Sequence, residues 1–170
     1  MTDYAHVASY DVRKVLLKEL QDNNLYDPNN YRADGFYESL EPIIPAQQVP
    51  EFNNLLPGKT YIIYDIMQKH TGVQWWMSEE AITFDIVSRD QTEIQTLMNF
   101  ITDLFRRYDL AAKDVNISLA SGSPYTYHYF RLESADTIQS FQNEGGFMSA
   151  IITIHYAYTR EVNSTTGRYL

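Results

Sequence analysis

The chain has 170 residues, of which 44% are hydrophobic and 21% charged, and its formal net charge is −9. That length suits one domain with one core, and the apolar content is enough to offset chain entropy, which excludes disorder as the default state. The absence of cysteine excludes thiol chemistry, disulfides and Cys-based zinc sites, and the acidic balance speaks against a protein that grips nucleic acid through its phosphates.

A first helix is predicted from about Tyr10 to Asp22. Val12, Val15, Leu16 and Leu20 form one apolar stripe, Ser9 is the expected N-cap, and Asn23-Asn24 ends the element. Residues 23–59 then carry Asn-Asn, Asp-Pro, Asp-Gly and Pro-Gly steps and five of the six prolines. These are turn and breaker signals, so the segment is expected to be a long arm or loop. A short helix is expected near Phe36 to Leu40. Tyr26, Tyr31, Phe36 and Tyr37 lie in the arm as candidate interface residues, because aromatics with a polar tip suit contact surfaces.

Regular structure returns at Thr60. The run Thr60 to Ile66 is apolar at both parities, as in a strand buried on both faces. Val73 to Met77 suggests a short strand or hairpin edge, and its Trp75, Trp76 and Met77 complete the candidate interface set. Ile82, Phe84 and Ile86 alternate with more polar neighbours in a strand up to Ser88. Asp90 with Glu93 forms an acidic variant of a capping box. It opens an amphipathic helix carrying Ile94, Leu97, Met98, Ile101, Leu104, Phe105 and Tyr108.

Val115 to Leu119 and Tyr125 to Leu132 both read as strands, with a turn between them at Ser121 to Pro124. A helical or turn segment is expected near Thr137 to Gln142. The last strand, Phe147 to Thr159, sends Met148, Ala150, Ile152, Ile154, Tyr156 and Tyr158 to one face. Residues 161–170 form a polar tail, expected to be mobile until bound. The succession describes a single α+β domain over residues 1–170, with a mixed, largely antiparallel sheet and helices packed on one face.

Chemical signatures are weak. Gly58-Lys59-Thr60 lacks the upstream glycine and the following helix of a phosphate-binding loop. Glu79-Glu80 is expected to be solvated, and Asp85 to face the polar side of its strand. His128 and His155 are possible neighbours across paired strands, but no third or fourth metal ligand can be named. No catalytic, cofactor or metal site is therefore assigned. A small metal- or ligand-dependent enzyme, the lesser alternative, would draw on Asp65, Asp85, His128 and His155. The start Met1 to His6 lacks the pattern of a signal peptide, and no apolar run is long enough for a membrane span, so synthesis and folding in a cytoplasm are expected.

One resemblance stands out. Pro45 to Phe52 runs into Tyr61 to Ile66, and the strand Ile82 to Ser88 passes at once into Asp90 to Ile94 and its helix. With a leading helix and closing strands, the order resembles the small tail terminator, or tail completion, proteins of long-tailed bacteriophages and their relatives in the phage neck. The bulky 23–59 segment departs from that pattern. The resemblance implies a virion protein that closes into a ring, usually a hexamer, on the tail tube. Such a ring ends tube polymerisation and joins the head connector, while DNA passes through its lumen unbound. Its partners would be further copies of itself, the tail tube protein and the neck proteins, with no cofactor and no membrane. Another neck, connector or sheath-cap protein is the nearest alternative.

Overall fold

The computed structural model describes residues 7–26, 42–48, 59–71, 76–106, 108–119, 122–136, 139–140 and 146–160. Helix α1 (Ala8–Asp22) buries Val12, Val15, Leu16 and Leu20 as its stripe requires. It starts two residues earlier than its sequence suggests. Ser9 is not the N-cap but lies buried in the first turn, and Val7 occupies the cap without a side-chain bond. A tertiary contact takes the cap's place in fixing this end, since the Tyr127 hydroxyl donates to the Ala8 carbonyl at 2.8 Å. At the other end the Asn23 amide side chain donates to the Glu19 carbonyl at 2.8 Å. Asn24 takes the left-handed conformation (φ 58°), and the next two backbone N–H groups return to the Leu20 carbonyl.

Residues 43–48 of the expected arm are ordered structure: strand β1 (Ile43–Pro45), followed by a turn of 3-10 helix at Ala46–Gln48. The expected short helix at Phe36 to Leu40 lies outside the described residues, as does the tail 161–170. Strands β2 (Tyr61–Thr71) and β3 (Ser78–Ser88) form an antiparallel pair with a register shift between Ile66 and Gln68. β2 is buried on both faces only at its start, Tyr61 and Ile62; by Asp65, Ile66 and Met67 it is exposed. β3 begins at Ser78, four residues before its alternation becomes clear, and Trp76 and Met77 precede it in a turn instead of forming a strand.

Helix α2 (Gln91–Arg106) buries Ile94, Met98, Ile101 and Phe105. Asp90 caps it, accepting from the Thr92 N–H at 2.7 Å and the Glu93 N–H at 3.4 Å. The reciprocal half of the expected box is replaced. The Asp90 N–H donates to the Ser88 hydroxyl at 3.0 Å, and the Glu93 carboxylate accepts from the Thr60 hydroxyl. Tyr108 does not extend α2; it opens α3 (Tyr108–Leu119).

Helix α3 overturns the strand expected at Val115 to Leu119. Ala112, Val115 and Leu119 are buried at helical spacing, whereas Ile117, which a strand would bury beside Val115 and Leu119, is 62% exposed. The β-branched residues imitate a strand's alternation, and packing of the helix overrides them. Strands β4 (Tyr125–Ala135) and β6 (Met148–Arg160) close the sheet. The two-residue β5 (Gln139–Ser140) pairs with β6 where a helix or turn was expected.

The strand order is β1-β2-β3-β6-β4, with β1 parallel to β2 and the other pairs antiparallel. The chain is thus an α+β domain with a mixed, largely antiparallel sheet. The core cluster joins the three helices to one face only, through Ile62, Ile82, Phe84, Ile86, Ile152, Ile154 and their neighbours. Phe105 sits at its centre, with ring centroids 6.4 Å from Phe84 and 5.3 Å from Phe130. The inward face of β6 is the one its sequence marks.

Candidate interaction surface on the second face of the sheet

Alternation along the strands sends a second set of residues to the face opposite the helices. In register, Ile63 pairs with Asp85 and Asp65 with Thr83, and Asp85 and Thr83 pair in turn with Ile151 and Thr153 of β6. A groove of about 670 Å³ runs over these positions. Ile63, Met67 and Ile151 supply its apolar surface, and Met67 is 65% exposed. Asp65, Asp85, Glu133 and Asp136 supply its charge.

The four acids are held differently. Asp65 Oδ1 accepts from the Gln47 amide at 3.2 Å and from the Ile66 N–H at 2.9 Å. Glu133 lies 2.7 Å from His155 Nε2. Asp85 is half-buried, and its Oδ1 is closed off from solvent with no hydrogen-bond partner. Burial raises its carboxyl pKa above the usual value, and a hydrogen bond with Ser149 only partly opposes this. The polar face expected for Asp85 is thus correct, but its carboxylate sits in surroundings that penalise its charge.

The sequence candidates are only partly brought together. Asp65 and Asp85 share the groove. His128 and His155 are not neighbours: His155 pairs with Arg131, and His128 bonds to the Thr159 hydroxyl at 3.0 Å. Among the described residues no group of three or more His, Asp or Glu is placed to hold a metal. Also among the described residues, no helix is long and apolar enough to cross a membrane.

Of the candidate interface residues, Trp76 is 44% exposed and meets His128 edge-on, with centroids 6.0 Å apart. Met77 is half-buried, and Tyr26 is half-buried against the core. Trp75, Tyr31, Phe36 and Tyr37 lie outside the described residues.

Glu80 corrects the expectation that Glu79-Glu80 is solvated. It is 5% exposed, on the helix face of β3 opposite Tyr156. Tyr156 donates to its Oε2 at 2.5 Å and Tyr158 to its Oε1 at 2.7 Å. A second buried acid, Asp11, accepts from the Ser123 hydroxyl, and the Tyr127 hydroxyl lies 3.2 Å from it. Three of the fourteen tyrosines are thus explained from inside: Tyr127, Tyr156 and Tyr158 are core residues whose hydroxyls satisfy buried carboxylates and carbonyls.

In comparison with known proteins, no family model and no curated sequence matches this chain.

Proposed function

We propose that this chain is a structural virion protein that caps the tail tube of a long-tailed bacteriophage as a hexameric ring, ends tube polymerisation and forms the joining face to the head connector. The reading starts from the resemblance of residues 60–108 to tail terminator proteins. The observation that carries it furthest is the second face of the sheet. Among the described residues no helix of the core cluster covers it, and it presents exposed Met67 and Ile151 around a groove. Exposed apolar surface rimmed by polar groups marks a contact site. We read the role as structural; the buried carboxylates Glu80 and Asp11, held by tyrosine and serine hydroxyls of the fold, support a packing role for those two acids. A net charge of −9 suits a lumen through which DNA slides, since like charge repels phosphates.

The test is capping. Purified chain added to polymerising cognate tail tube protein should give tubes of bounded length with extra density at one end in electron microscopy. Tubes that grow unchanged at every chain concentration would refute the function.

A further inference from the structure

We propose that the groove on the second face seats the exposed ridge of α1 from a second copy of this chain. This rests on the assembly reading above and names the surfaces that would make it.

Edge pairing is blunted on both sides of the sheet. β1 is three residues long and ends in Pro45. β4 carries two register shifts, at Tyr127/Tyr129 and Leu132/Ser134, and Asn116 closes the backbone N–H and C=O of Tyr127 at 2.8 and 2.7 Å. Short, bulged and capped edges resist strand addition. Copies are therefore left to meet through faces.

The ridge is Val7, Tyr10, Lys14 and Lys18. Tyr10, Lys14 and Lys18 follow one another at steps of four and so share one side of α1, Val7 lies at its cap, and all four are exposed. The ridge is apolar at its start and cationic beyond. The groove has the complementary content, with Ile63, Met67 and Ile151 beside the four acids. Lysine stems lie along apolar surface while the ammonium reaches an acid. Asp65 and Glu133, both exposed, are the acids such an ammonium reaches. The charges that oppose this fit are few among the described residues. Arg131 and His155 border the groove, His155 already faces Glu133, and Asp22 sits at the far end of α1.

The two surfaces lie on opposite layers, since α1 belongs to the helix layer and the groove to the far side of the sheet. A contact between them is head-to-tail, and such contacts build a ring when their rotation closes.

Charge reversal tests it with exposed positions on the full chain. One variant carries Lys14→Glu and Lys18→Glu, the other Asp65→Lys and Glu133→Lys. Unchanged circular dichroism checks their folding. Light scattering and native mass spectrometry are run on wild type, on each variant and on their equimolar mixture, with and without tail tubes. Each variant alone is expected to associate at least about tenfold more weakly than wild type. The mixture is expected to recover assembly, because every contact in an alternating ring is again between opposite charges. Assembly unaffected by either reversal, or weakened by both and not restored by mixing, overturns this interface while leaving the ring itself standing. Tube binding lost in the groove variant but kept in the ridge variant means that a different protein occupies the groove, which also overturns the proposal. A wild-type chain that stays monomeric and binds no tubes overturns both the interface and the assembly.

Discussion

Tyr156 and Glu80 face each other across the β3–β6 pair, and the tyrosine hydroxyl donates to the carboxylate at 2.5 Å in a part of the core where both are buried. Hydrogen bonds to a buried charge are worth more than neutral ones. Tyr156→Phe is therefore expected to cost about 1.5–3 kcal/mol of unfolding free energy, read from denaturant midpoints. Tyr156→Phe with Tyr158→Phe should cost more than the two singles summed, because Glu80 is then buried without either partner.

The same packing sets the response to alkali. Burial raises the pKa of Tyr127, Tyr156 and Tyr158 far above the ordinary 10.0, and the nearby carboxylates Asp11 and Glu80 push the same way. Folded, these hydroxyls stay protonated where the unfolded chain's would ionise. Their contribution is complete below pH about 10 and is lost as pH climbs toward the folded values. An ultraviolet titration should show these three tyrosines ionising only as the chain unfolds, while exposed tyrosines titrate beforehand.

Asn116 shows how α3 secures the edge of the sheet. Its amide accepts from the Tyr127 N–H at 2.8 Å and donates to the Tyr127 carbonyl at 2.7 Å, as a neighbouring strand would. Asn116→Ala leaves both backbone groups without that partner and should cost about 1–3 kcal/mol. Asn116→Asp keeps the acceptor and loses the donor, so it should fall between Ala and wild type. Thermal melts of the three chains check the order.

Asp85 is expected to cost stability in its ionised form. Its burial disfavours the ionised form, so wild type gains stability from this group as pH falls from the raised folded pKa toward the ordinary 3.8. Asp85→Asn carries no charge to bury. At neutral pH the monomeric variant should melt above wild type, and the difference should shrink through that acidic window. A variant that melts lower than wild type at neutral pH would contradict the cost assigned to this carboxylate.

Helix α2 and strand β6 were legible because their polar and apolar residues separate cleanly along one period: Ile94, Met98, Ile101 and Phe105 in the helix, Ala150 to Tyr158 in the strand. Helix α3 was not, because Val115, Ile117 and Leu119 alternate like a strand and only the burial of Ala112, Val115 and Leu119 reveals the helical face. Glu80 looked solvated because its partners lie 76 and 78 residues away, beyond the reach of any local pattern. The groove was half legible. Asp65 and Asp85 attract notice singly, but their meeting depends on the register that sets Ile63 opposite Asp85, and Glu133 and Asp136 join them only through β4.

The most direct test of the central claim is the solution mass of the purified chain by light scattering, alone and with the cognate tail tube protein, with electron microscopy of the same samples. A closed ring of subunits is expected, free or seated on the tube end, with tube length held constant. A chain that remains monomeric at all concentrations and neither binds nor caps tubes would contradict it.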